Sequence, residues 1–204
     1  DCSTISEEAS RQVRAEAKNL GIEMLDACVS GNDKAVTGGA LSVVSSGARE
    51  AYDIAEPYLE ALGKSVDYVG EGENARIVKI CHNVFLGIVA QTMAEITVLA
   101  EKNKIPRHAF LNFINNSVMG STFTRYKTPA YVNLDMTTTF TPVLLRKDMD
   151  LGLAAARELN VPMPVAAAAR ECVQSLIGNG YVDCDFAALI KLEAMNAGLN
   201  IKPE

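Results

Sequence analysis

The sequence predicts an α/β segment over about the first seventy residues, followed by an all-helical segment that opens with one long helix. Two observations carry this prediction. Short strand-like runs alternate with helical runs as far as Val69, and from Gly72 onward the apolar residues recur only at helical spacing. Strands separated by helices imply parallel crossover units. Three strands are few for an open sheet covered on both faces, so residues 1–70 read as the last portion of a larger domain.

Taken in order, Ser6 opens a helix that runs to Leu20, with Glu7 and Glu8 in its first turn and Gly21 as its stop. Ile22 to Ser30 reads as a strand, followed by a Gly/Asn/Asp loop. Ala40 to Ser45 reads as a second strand, Ala48 to Leu62 as a helix and Ser65 to Val69 as a third strand. Ile77, Ile80, Cys81, Val84, Phe85, Ile88, Val89, Met93, Ile96 and Leu99 then keep one helical period until Asn103 and Pro106. That gives a helix of about twenty-eight residues, roughly 40 Å long, able to bridge two domains. Further helices are expected at about 107–117, 121–132, 142–159, 164–178 and 185–197, divided by Asn-, Pro- and Gly-rich turn signals.

Hydrophobic residues make up 49% of the 204 and charged residues 22%, a balance that supports folding and argues against global disorder. The net charge of -6 opposes a general nucleic-acid binder, which needs a basic face. Five cysteines without a Cys-x-x-Cys pairing point to reduced thiols and a cytoplasmic setting. Only His82 and His108 are available as imidazole ligands, in no metal-binding pattern, so no metal is expected. No apolar run is expected to span a bilayer, and the polar start lacks the basic flank and apolar core of a signal peptide. A first residue of Asp rather than Met leads to the expectation of a processed or partial polypeptide.

Residues 70–83 admit two readings. Gly70, Gly72 and Ala75 spell Gly-x-Gly-x-x-Ala after a strand-like run, the form of a dinucleotide-binding loop. Such a loop requires a short helix, a second parallel strand and an acid about twenty residues on. Here the helix continues through Leu99 and Glu95 lies within it, so the glycines read as a turn feeding the long helix. Lys79 and Asn83, four apart, share one face of that helix. A cleft near the helix start would lower the lysine pKa by desolvation and by the positive helix end, fitting Lys79 for proton transfer, with Asn83 orienting the same substrate oxygen. Taken alone, the pair also fits a solvated helix face. The Ser30-Gly31-Asn32 loop fits either a carboxylate-binding turn or a plain surface turn, and Lys147-Asp148 fits an exposed charge cluster.

Asp1-Cys-Ser3-Thr4, Ser30-Gly31, Gly70-x-Gly72 with Lys79 and Asn83, and Phe140 with Lys147-Asp148, in this order through essentially the whole chain, resemble the β-hydroxyacid dehydrogenase family. This family includes 3-hydroxyisobutyrate dehydrogenases and tartronate semialdehyde reductases. The resemblance implies an α/β remnant of a Rossmann-type domain followed by an all-α domain, joined by a long interdomain helix. Residues 1–70 would be the C-terminal part of the nucleotide-binding domain. Residues 71–204 would form the helical substrate and dimerisation domain, similar to the C-terminal domain of 6-phosphogluconate dehydrogenase, with the interdomain helix at 72–103.

The resemblance further implies an NAD(P)-dependent oxidoreductase acting on a small β-hydroxy acid or semialdehyde. Lys79 and Asn83 would be catalytic. Ser30, Gly31, Asn32 and Lys147 would bind substrate, and Ser3, Thr4, Phe140, Lys147 and Asp148 would meet the cofactor, NAD or NADP. A homodimer or homotetramer through the helical domain is implied. Two positions depart from the family pattern: Asn32 stands where a second glycine is usual, and His82 stands where the catalytic helix often has asparagine. His82 is expected to tune or pack beside the site. The family's diphosphate loop is expected ahead of Asp1. The competing expectation is a catalytically silent helical assembly module unable to bind the dinucleotide.

Overall fold

The computed structural model describes residues 1–204, the side chain of Lys34 excepted. Helix α1 spans Glu7–Asn19, and the Ser6 hydroxyl caps it by accepting from Ala9 N at 3.2 Å. Strand β1 (Asp26–Ser30) follows, then a short helix α2 (Asp33–Thr37), β2 (Ser42–Ser46), α3 (Arg49–Leu62) and β3 (Ser65–Tyr68). The three strands form one sheet in the order β1-β2-β3.

The expected run of parallel crossovers holds for one connection and fails for the other. β2 and β3 are parallel, with Ser42 opposite Ser65, and α3 is the crossover between them. β1 and β2 are antiparallel, with Asp26 opposite Ser46 and Ser30 opposite Ser42. A parallel return needs a connection long enough to travel the length of a strand, usually a helix of several turns. Residues 31–41 hold only α2, where a plain loop is expected from the sequence, so the chain reverses instead.

Side chains alternate across β1. Ala27 faces Val43, Tyr52 and Leu59 in a small apolar core beneath α3. Asp26 and Cys28 face the opposite side, toward α1 and the start of the long helix α4 (Asn74–Lys102).

Helix α4 has 29 residues, and its first turns lie on β1 and β2. Beyond them it packs against α7 (Pro142–Glu158), α8 (Pro164–Gly178) and α9 (Leu189–Asn196). The main core lies here, with Ala90, Met93, Ala94 and Val98 of α4 meeting Leu145, Met149, Val173, Leu176 and Ile190. α5 (Arg107–Asn116) and α6 (Thr122–Val132) close one side, and a 3-10 turn (Phe186–Ala188) leads into α9. Contrary to the expectation from sequence, α4 is long and apolar enough to cross a membrane by length and composition alone, with a mean hydropathy of 1.5 over 18 residues. Its surroundings explain that composition: 56% of this window is buried inside the chain, as a core helix requires.

Where α4 crosses α7 the helices interlock through glycines. A Cβ on Gly87 would lie 2.6 Å from Met149 Sδ, and one on Gly152 would lie 2.3 Å from Val84 Cγ2. This close approach sets the distance between the polar residues one turn away on each helix.

Candidate active site

The site is built upward from a buried charge cluster beneath α4. Arg76, only 1% exposed, reaches Asp26 at 2.8 Å, Asp1 at 2.7 Å and the Ser10 hydroxyl at 3.0 Å, and it donates to the Ser3 carbonyl. Arg14 pairs with Glu73 at 2.8 Å and with Asp26 at 3.1 Å. Burial pushes Asp26 above the usual carboxylate range, and hydrogen bonding with Glu73 adds to the rise. Burial also opposes ionisation of Glu73, but hydrogen bonds from Arg14, Ser10 and Asp26 outweigh it and hold Glu73 low. The two acids therefore titrate as a pair. Structurally, the cluster binds the Asp1–Thr4 segment, α1 and β1 to the first turn of α4.

One turn beyond Arg76, Lys79 is half-buried, and among the described residues its ammonium makes no hydrogen bond or ion pair. Desolvation drives its pKa below the ordinary lysine value; Asp148 and Cys28 pull it upward and Lys147 adds to the lowering. Desolvation accordingly acts as the sequence reading requires.

Ser30, His82, Asn83, Asp148, Lys147 and Thr4, all singled out from sequence, are joined in one continuous chain of contacts. Ser30 Oγ lies 2.9 Å from His82 Nε2, and His82 Nδ1 lies 2.8 Å from Asn83 Oδ1. Asn83 Nδ2 donates to Asp148 Oδ2 at 2.6 Å, both residues being buried. Lys147 pairs with Asp148 Oδ1 at 2.7 Å and donates to the Thr4 carbonyl at 2.8 Å. A single line of polar atoms thus runs from the end of β1, across α4 and α7, to the Asp1–Thr4 turn. Desolvation lowers the His82 pKa; its bond to Asn83 opposes this and the charge of Lys79 reinforces it.

Three expected residues have other surroundings. Phe140 stands outside this line, with its ring edge-on to Phe186 at 6.2 Å beside the helical core. Asn32 turns its side chain to accept from Ala35 N at 3.2 Å at the start of α2. Gly31 adopts φ 141°, and a Cβ there would meet Leu41 Cδ2 at 2.6 Å and Ala35 Cβ at 2.7 Å, so a side chain is excluded at this position.

Sequence reasoning missed Asp26, Arg14 and Arg76. A signal existed for Arg76: it stands three residues before Lys79 and seven before Asn83, on the same helical face. Asp26 carried none, because only the fold brings β1 beneath α4.

The family model described as NAD-binding of NADP-dependent 3-hydroxyisobutyrate dehydrogenase matches residues 72–193. The model described as NAD binding domain of 6-phosphogluconate dehydrogenase matches residues 1–70. The 3-hydroxyisobutyrate dehydrogenase of Pseudomonas aeruginosa is 31% identical, over 94% of this chain and 67% of its own length. Glyoxylate/succinic semialdehyde reductase 2 of Arabidopsis thaliana is 29% identical, over 97% of this chain and 54% of its own. The crystal structure of 3-hydroxyisobutyrate dehydrogenase from Salmonella typhimurium superposes with a TM-score of 0.87 at 28% identity, covering 93% of this chain and 67% of that one. The chain therefore spans between about half and two thirds of the length of these relatives.

Proposed function

The chain belongs to the β-hydroxyacid dehydrogenase family, and from that premise we propose that the whole protein is an NAD(P)-dependent oxidoreductase. It would interconvert a small β-hydroxy acid and the corresponding semialdehyde. The observation that carries this reading is the desolvated Lys79, unpartnered among the described residues, beside the Ser30–His82–Asn83–Asp148–Lys147–Thr4 line.

The donor set suits an anionic hydroxy acid. Two ammonium groups, Lys79 and Lys147, and the Ser30 hydroxyl accompany the Asp148 carboxylate at this site, a balance that favours an added negative charge. The Asp1–Thr4 turn, held by Arg76 from below and Lys147 from above, offers an ordered backbone against which a nicotinamide would rest. The bound NAD or NADP supplies hydride acceptance and donation.

Residues of this chain supply the rest. In oxidation, the neutral amine of Lys79 takes the hydroxyl proton as the carbinol carbon loses its hydride and the C–O single bond becomes a carbonyl. In reduction the ammonium returns that proton. Desolvation lowers the lysine pKa and so raises the amine fraction, the direction a base needs. Asn83 donates one amide hydrogen to Asp148, so its second hydrogen is available to orient the reacting oxygen. Backbone amides at Gly31 and Asn32, with the Ser30 hydroxyl, receive the carboxylate. Lys147 positions the Asp1–Thr4 turn against the substrate.

We place residues 1–70 in the nucleotide-binding domain and 71–204 in a helical substrate domain, with α4 linking them. The separate apolar cores on either side of the first turns of α4 support this division. Assembly as a homodimer or homotetramer through the helical domain is supported by exposed Phe85, Leu99 and Phe113. A cytoplasmic setting is supported by five free thiols. The decisive experiment is Lys79→Ala in the whole protein, assayed with NAD and NADP against 3-hydroxyisobutyrate and related acids. A loss of about 10²–10⁴ in kcat is expected for removal of a general base. Near-normal turnover removes the lysine from the mechanism.

A further inference from the structure

His82 is the one member of the polar line that uses both of its ring nitrogens within it, and the line dictates which nitrogen carries the proton. Asp148, paired with the Lys147 ammonium, presents carboxylate oxygens, which accept only. The atom of Asn83 facing it at 2.6 Å must be the amide nitrogen, so the amide oxygen faces His82 Nδ1 at 2.8 Å. An amide oxygen only accepts, which places a hydrogen on Nδ1. In the neutral ring Nε2 is then bare, and Ser30 Oγ, 2.9 Å away, must donate its hydrogen to it. The Ser30 hydroxyl is thereby turned toward His82 and away from any anion at the Ser30–Asn32 loop.

We propose that His82 is a positioning residue that governs the direction of the Ser30 hydroxyl. While neutral it holds that hydrogen for itself, and on taking up one proton at Nε2 it becomes the donor and frees the Ser30 hydrogen for a ligand carboxylate. Carboxylate binding and proton uptake are therefore linked: each favours the other, as two ligands of one two-state element must. The inference rests on the proposed carboxylate loop for its ligand, but the tautomer follows from the contacts alone.

The groups around His82 agree with such a device. Lys79 lies one turn earlier on its own helix, Cys28 of β1 faces Lys79, and Asp148 and Lys147 of α7 lie behind Asn83. Desolvation and Lys79 keep the free ring neutral near pH 7, whereas a carboxylate at Ser30 would offset both. The sign follows: the substrate KM falls as pH drops toward the titration of the free ring, and levels off below it.

Two measurements test this. Long-range proton–nitrogen NMR of the labelled chain resolves both histidines, with His82→Gln identifying the signal. The Nδ1–H tautomer is expected for His82 above its titration, reverting to Nε2–H in Asn83→Leu; an Nε2–H tautomer in the unaltered chain overturns the proposal. In the whole protein, KM for 3-hydroxyisobutyrate should change by up to about tenfold per unit of pKa difference between free and bound states. His82→Gln should flatten that pH profile. A KM profile unchanged by His82→Gln overturns the linkage, whatever the lysine does. A correct tautomer in a whole protein that turns over no hydroxy acid sinks the functional reading instead and removes the proposed ligand.

Discussion

Replacing Gly152 by alanine tests whether the α4–α7 crossing sets the geometry of the polar line. The added Cβ would lie 2.3 Å from Val84 Cγ2 and 3.3 Å from Ile80 Cγ2. Non-bonded carbons settle at about 3.5–4.0 Å, so the helices must part by roughly 1.2 Å or more. Val84 has little room to yield, since a β-branched side chain in a helix is held to one rotamer. Asp148 lies one turn before Gly152, and a shift of that size stretches its 2.6 Å bond to Asn83 past the limit of a hydrogen bond, at roughly 3.5 Å. Overpacking costs about 1–3 kcal/mol. Loss of a hydrogen bond to a charged group costs about 1.5–3 kcal/mol. Alanine returns about 1 kcal/mol of helix propensity. The net expectation is a destabilisation of about 1.5–5 kcal/mol, combining these terms.

Urea unfolding followed by circular dichroism measures this directly. Gly178→Ala in α8 is the control, because nothing lies within 4 Å of its added Cβ. It should gain up to about 1 kcal/mol. Val84→Ala combined with Gly152→Ala should recover stability relative to the sum of the single changes, because the clashing methyl is gone. A Gly152→Ala protein as stable as the parent, with no coupling to Val84, refutes the close crossing as the determinant of site geometry.

Lys79→Met should raise stability at pH 7 while abolishing turnover of the whole protein. The folded-state pKa of Lys79 is depressed, so the unfolded chain binds more protons between that value and the ordinary lysine value. Stability in the parent should therefore rise with pH across this window, and thermal melts of the two proteins should converge at its alkaline end. Asp185→Asn should destabilise by about 3–5 kcal/mol by removing the buried carboxylate that lies 2.6 Å from the Lys127 ammonium. Burial opposes ionisation of Asp185, but the hydrogen bond and charge of Lys127 outweigh it and hold the carboxyl low. Its contribution is thus complete above the unfolded carboxylate value and is lost as pH falls through the folded one. An acid-unfolding midpoint unmoved by Asp185→Asn refutes that assignment.

Periodicity made the helices legible, because one face of each is buried and the burial writes a 3.6-residue repeat into the sequence. Ser6, Glu7 and Glu8 marked the start of α1, and the unbroken apolar pattern after Gly72 excluded a short dinucleotide-loop helix. That Lys79 and Asn83 share one helix, four residues apart, was legible for the same reason. Strand direction was not legible: pairing depends on whether a connection can travel back along the sheet, and the short α2 cannot.

The sequence by itself determined the order of elements, the length of α4 and the residue types able to move a proton and hold an anion. These follow from local chemistry and from spacing along a helix. Only the tertiary structure decided that Asp26 lies under Arg76, that Gly87 and Gly152 let α4 and α7 approach closely, and that His82 joins Ser30 to Asn83. Those contacts link residues tens of positions apart, and their distances are fixed by packing across elements rather than by any pattern within one.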